Sequence, residues 1–350
     1  MAILTRTLLL ASVALLAVCG IESLAIAQPN QTALDEYIHK PDSAYRWKTI
    51  SRSHEDGLTT FVIDMVSQSW RNEKEVDRTL WQHWLIVMVP DKLEHDDTAL
   101  LFIGGGSNGG EPPTQGDAMT RQIALQSHAV VAALKMVPNQ RLEFHSDGRK
   151  RNEDDLIAYT WLQYLKTGDP NWPARNPMVK SAVRAMDTIS ALMASKAGGN
   201  RKTDKFVVAG GSKRGWTTWL TALDTRVVAI APIVIDVLNL QESMRHHYSA
   251  YGFWAPSVGD YTRAKIFDWF GTPQLKELQK LVDPYYYRHR LKLPKYIVNA
   301  AGDQFFLPDS SQFYFDDLIG EKMLRYVPNG DHSLAGTEVA QDLQKVAKDL

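Results

Sequence analysis

Three residues of different chemical type follow three apolar runs in this chain. Ser212 comes after Phe206-Val207-Val208-Ala209-Gly210-Gly211 and before Lys213-Arg214-Gly215-Trp216. Asp303 comes after Tyr296-Ile297-Val298-Asn299-Ala300-Ala301-Gly302, and His332 closely follows Leu324-Arg325-Tyr326-Val327. A serine hydroxyl is a poor nucleophile until a histidine takes its proton, and a carboxylate must hold that imidazole in the right tautomer. The three types together suit attack on an ester or amide carbonyl. Two other carboxylates compete for the orienting role. Asp236, at the end of the strand after the Ser212 segment, is the stronger alternative. Asp331 adjoins His332, and a chain neighbour rarely faces the same ring. For Ser212 itself the alternative is a capping serine in a glycine-rich strand-to-helix connection.

Acyl transfer also needs two N–H groups aimed at the developing oxyanion. One is expected from Lys213, next to the nucleophile. The other is expected near Gly105 or Gly106, in the loop Gly104-Gly105-Gly106-Ser107-Asn108-Gly109-Gly110. That loop formally reads G-x-G-x-x-G, but the following strand ends Ala132-Ala133-Leu134-Lys135, with no ribose-binding acid. No Gly-Lys-Ser/Thr closes it as a phosphate loop either. The nucleophile motif departs from G-x-S-x-G, since Arg214 takes the second glycine position and Gly215 follows. Arg214 must therefore point away or help line the site. With His247 and Tyr251 it is a candidate substrate contact. There is no H-E-x-x-H, and His128 and His145 lack carboxylates at ligand spacing, so neither metal nor cofactor is expected.

The elements that must position these groups follow from the apolar patterning. Thr59 to Trp70 and Trp81 to Pro90 read as an antiparallel strand pair, with Asn72 to Asp77 as a turn. Ala99 to Ile103 and Ala129 to Val137 read as buried strands around a helix from Thr120 to Gln126. Helices are expected from Glu153 to Leu165 and from Met178 to Ala194. The acids Glu153, Asp154 and Asp155 suit the first turn of the former. Strands follow at Val227 to Val234, Lys295 to Ala301 and Met323 to Val327. Strands alternating with helices predict a mostly parallel sheet covered on both faces. With Ser212 at a strand-to-helix turn, the fold class is α/β, the α/β-hydrolase fold. The stretch from about 237 to 293 holds helical segments and many aromatics but no strand, and is expected to form a helical cap insertion.

At the scale of the chain, 350 residues with 44% apolar content suffice for a large core, and a net charge of −1 carries no nucleic-acid signature. Arg6, the apolar run Leu8 to Val18, and Ala25-Ile26-Ala27 predict a secretory signal peptide over 1–27. The run falls short of the ~20 residues of a membrane span. The remainder, 28–350, reads as one hydrolase domain. Membrane contact is expected only during export, to the periplasm or the exterior. The single cysteine, Cys19, lies in the leader. Val18 is bulkier than the residue expected before a lipidated cysteine, which argues against a lipid anchor. Cleavage after Ala27 leaves no cysteine for disulfides. The expected partner is a small-molecule or peptide substrate.

Several longer strings carry a family resemblance: Ser67-Gln68-Ser69-Trp70, Trp81-Gln82-His83-Trp84, Val137-Pro138-Asn139-Gln140, Glu153 through Trp161, Met178-Val179-Lys180 and Gly211 through Thr221. On these the chain resembles the PhoPQ-activated pathogenicity-related family. The resemblance implies an exported protein like an α/β-hydrolase, with Ser-Lys-Arg-Gly-Trp at the nucleophile turn, and gives no substrate. Relatives tend to run longer at the carboxyl end, while Glu338 to Leu350 suffices here for a closing helix. Two function classes follow. One is an exported serine hydrolase; the other is a non-catalytic binding or signalling protein on the same scaffold, since fold alone does not guarantee chemistry.

Overall fold

Runs of Val, Ile, Leu and Met assemble into one nine-stranded sheet. The structure is a computed structural model and describes residues 31–337. The expected leader over 1–27, with Cys19, and the expected closing helix over 338–350 lie outside the described residues. In chain order, α1 (Ala33–His39) precedes β1 (Arg46–Glu55), β2 (Leu58–Ser69), β3 (Leu80–Pro90) and β4 (His95–Ile103). Next come α2 (Ala118–Ser127), β5 (Ala129–Leu134) and the small hairpin of β6 (Leu142–Glu143) and β7 (Lys150–Arg151). Then follow α3 (Glu153–Thr167), α4 (Arg175–Ala194), β8 (Lys205–Gly211), α5 (Lys213–Thr221) and β9 (Val227–Ile233). The helices α6 (Leu240–Tyr251), α7 (Gly259–Arg263) and α8 (Pro273–Val282) lead to β10 (Lys295–Ala300) and β11 (Lys322–Val327).

The strand order is β1-β2-β3-β5-β4-β8-β9-β10-β11. The pairs β1–β2, β2–β3 and β3–β5 are antiparallel, and every pair from β5 to β11 is parallel. Alternation along β5 explains how both faces are buried. Val130, Ala132 and Leu134 face one apolar cluster with Leu101, Trp161, Met178 and Trp219; Val131 and Ala133 face another with Ile123, Ala231 and Val298. Helices α4 and α5 supply side chains to the first cluster, and α2 to the second.

β1 and α1 were not expected. The strand sequence Arg-Trp-Lys-Thr-Ile-Ser-Arg-Ser-His-Glu is almost wholly exposed and has no apolar face. It is held by its ladder to β2 rather than by burial, so it leaves no hydrophobic signal. α1 is a short helix closed by a capping box between Thr32 and Asp35. Between β9 and β10 there are only helices and 3-10 turns, the span where the cap was expected.

Candidate active site

Ser212 stands between β8 and α5 with φ 57° and ψ −126°, a region L-residues avoid at a cost of ~1–3 kcal/mol. Neighbouring strands hold it there. Its N–H donates to the Ile233 carbonyl of β9 (2.8 Å), and its own carbonyl accepts from Trp216 N–H (3.0 Å). Glycines make the sharp turn possible. A Cβ on Gly210 would lie 2.8 Å from the Arg214 carbonyl oxygen, and one on Gly215 would lie 2.9 Å from both the Gly210 and Ile233 oxygens. Gly215, one position later than in G-x-S-x-G, thus lets the helix pack against two strands, and Arg214 is free to point elsewhere.

The loops after β10 and β11 bring two more groups to the turn. His332 Nε2 lies 2.8 Å from Ser212 Oγ, and Nδ1 lies 2.8 Å from Asp303 Oδ2. A carboxylate only accepts, so Nδ1 carries the proton and Nε2 is left to accept from the serine. The other Asp303 oxygen accepts from the Phe305 and Phe306 amides (2.8 and 3.3 Å), while Gln304 Oε1 accepts from His332 N–H (3.1 Å). The Phe305 ring packs on the imidazole at 4.3 Å. Asp236, the competing acid, is engaged elsewhere. Its oxygens accept from Tyr314 and Tyr326 hydroxyls (2.6 and 2.5 Å), and burial pushes its carboxyl up to about 6.

Behind the turn lies an ion cluster that spans distant segments. Arg214 grips Glu153 with both Nη atoms (2.8 and 2.6 Å) and donates from Nε to the Val137 carbonyl. Lys213 Nζ is buried 3.0 Å from both Glu153 and Asp154. Burial pushes the Glu153 carboxyl up, but its bonds to Arg214 and the charges of Lys213 and Arg214 outweigh that and hold it at about 2. Gln140 joins this cluster to the glycine loop, donating to Glu153 Oε1 (2.5 Å) and to the Gly106 carbonyl (3.0 Å). Gly105 presses on Arg214, where a Cβ would meet Nη2 at 2.6 Å. Glu153 and Asp154 therefore do more than complement the α3 dipole: they neutralise the two cations that follow the serine.

Ser212 and Lys213 open onto a cavity of about 50 Å³ walled by Trp216, Tyr261, Phe267, Phe270, Phe305 and Phe306. Asp154 and Arg175 also line it. The expected substrate contacts are not among the lining residues. Arg214 is held by Glu153. His247 is buried within the cap, with Nε2 accepting from Ala255 N–H (3.1 Å) and its ring stacked on Trp254. Tyr251, at the exposed end of α6, packs on His247 and Phe253. Gly105 and Gly106 are not among the lining residues either; Gly105 lies against Arg214 and Gly106 against Met136. Of the aromatics between β9 and β10, Tyr261, Phe267 and Phe270 reach the cavity. Phe305 and Phe306 were visible only as neighbours of Asp303, and nothing in the sequence marks Arg175. Among the described residues, no cluster of three His, Cys, Asp or Glu side chains is arranged to hold a metal ion.

This strand order, with a serine turn after β8 and an imidazole after β11, defines an α/β-hydrolase fold. The same fold is seen in the acetyl xylan esterase from Paenibacillus sp. R4, with a TM-score of 0.61 and 12% identity over 90% of this chain and 91% of that one. Acetyl xylan esterase 1 from Thermoanaerobacterium sp. JW/SL YS485 gives 0.56 and 16%, covering 90% and 92%. The chain belongs to the PhoPQ-activated pathogenicity-related protein family, whose sequence model matches residues 34–350. It is also 39% identical over 318 residues to autocrine proliferation repressor protein A of Dictyostelium discoideum. That match covers 90% of this chain and 64% of the relative's length.

Proposed function

We propose that this protein is an exported serine hydrolase that cleaves an ester or amide. Ser212 Oγ attacks the carbonyl carbon while its proton passes to His332 Nε2. The carbonyl electron pair moves onto oxygen, where the Lys213 N–H stabilises it. Collapse of this intermediate breaks the bond to the leaving group, which takes the proton from Nε2. Water then repeats the sequence on the acyl-serine, giving its proton to His332, releasing the acid and restoring Ser212. Asp303 holds the imidazole and stabilises its charged form. The leader-like segment over 1–27 supports export to the periplasm or the exterior.

The observation that carries this reading is the continuous Ser212–His332–Asp303 chain at 2.8 Å per link, beside a cavity with aromatic walls. A buried water occupies ~10–15 Å³ on the same kind of measure, so the cavity suits a small group rather than a bulky one. Turnover of small acetate esters by the mature protein tests it. Ser212→Ala and His332→Ala are expected to lower kcat by about 10³-fold or more, and Asp303→Asn by less. Undiminished turnover in Ser212→Ala would exclude the mechanism.

A second reading is favoured by the Dictyostelium relative, whose name describes a repressor of proliferation. On that reading the hydrolase fold serves as a signalling scaffold, and a folded protein with an inert Ser212 would support it.

A further inference from the structure

Arg175, the first residue of α4, is only 1% exposed yet lines the same cavity as Ser212. Its Nη1 donates to the Lys213 carbonyl (2.8 Å), and its guanidinium lies over the Trp216 ring at 4.4 Å. Nε has no hydrogen-bond partner among the described residues. Burial works against the charged guanidinium and lowers its pKa; the Tyr261 hydroxyl, with which it also hydrogen-bonds, and the Asp154 carboxylate favour the charge, while Arg214 opposes it. Asp154, however, is occupied by Lys213 Nζ and by the Tyr261 hydroxyl, each at 3.0 Å.

Other well-buried arginines of this protein have a carboxylate to themselves or share one at contact distance. Arg71 pairs with Glu75 and Asp169, Arg151 with Asp147, and Arg214 with Glu153. Arg175 forms no ion pair among the described residues. Around the serine turn, three cations (Arg175, Lys213 and Arg214) face two carboxylates (Glu153 and Asp154). The flanking acids are taken as well, Asp155 by Arg149 and Asp260 by Arg263. A desolvated guanidinium without a counter-ion is costly, and its fork matches a carboxylate in two parallel bonds.

We propose that Arg175 receives a carboxylate on the substrate, so that the hydrolysed molecule is a small ester or amide with an acidic arm. This rests on the hydrolase reading and narrows its substrate class. Trp216, Tyr261, Phe267 and Phe270 give the arm apolar walls, which strengthen the ion pair by excluding water. The cavity size limits the arm to a few carbon atoms.

The test uses matched substrates and the mature protein. Monoethyl succinate is compared with ethyl butanoate for an acid on the acyl side, and O-acetylglycolate with ethyl acetate for one on the alcohol side. In one pair the acidic ester is expected to have the higher kcat/KM. Arg175→Met is expected to lower that acidic-to-neutral ratio roughly tenfold or more. Arg175→Lys, which keeps the charge without the fork, should restore part of it. A ratio at or below one in both pairs, or one unchanged in Arg175→Met, would overturn the proposal. Binding of the same two ester pairs to Ser212→Ala protein, measured by calorimetry, separates this outcome from failure of the chemistry. Charge-dependent binding lost in the Arg175→Met double variant supports the carboxylate site even when no ester is cleaved. Equal binding of the acidic and neutral esters in both pairs contradicts it, and needs no Arg175 variant to fold.

Discussion

Asp303 and Asp236 both stand at the carboxyl ends of parallel strands, and their surroundings divide their roles. Asp303 accepts two amide N–H groups and the imidazole; Asp236 accepts two tyrosine hydroxyls in a buried site. Because burial raises the Asp236 carboxyl from 3.8 to about 6, its contribution to stability is present below 3.8 and is lost as pH rises through about 6. Asp283 is raised in the same way, so only a difference between variants isolates Asp236. The stability of Asp236→Asn relative to the parent should shift in the variant's favour by up to ~3 kcal/mol between about pH 4 and pH 7. Urea unfolding at the two pH values measures this, and a constant difference would refute it. Ser212, Asp303 and His332 were legible in the sequence because each follows an apolar run in a fixed order. Arg175 was not. Its isolation from carboxylates exists only once α4, α5 and the cap are packed together.

At the scale of elements, the serine turn depends on how closely α5 approaches β8 and β9. Gly215→Ala would place a methyl 2.9 Å from two backbone oxygens and 3.0 Å from Ile235 Cγ2. The expected cost is ~1–3 kcal/mol of overpacking, with a fall in kcat as Ser212 moves from His332. Thermal unfolding and ester turnover report the two effects, and a variant as stable and active as the parent would show that the glycine is dispensable. The departure from G-x-S-x-G was visible in the sequence, but its resolution was not. Arg214 leaves the turn for Glu153, 61 residues earlier in the chain, and no local pattern encodes that pairing. β1 leaves no signal in the sequence for a related reason: a strand with no buried face carries no apolar alternation.

At the scale of the whole molecule, the alternation of apolar strands and helices was enough to reveal a parallel sheet buried on both faces, with a helical insertion before its last two strands. The depth of the cavity and the identity of its walls were not legible, because Trp216, Tyr261, Phe267 and Phe305 converge from four separate segments. This assembly is expected to activate Ser212. Treating the mature protein with a fluorophosphonate and locating the adduct by peptide mass tests it most directly. One phosphonyl group is expected on Ser212, absent from Ser212→Ala and formed much more slowly in His332→Ala. A folded parent protein that stays unmodified, or one labelled at another residue, would contradict it.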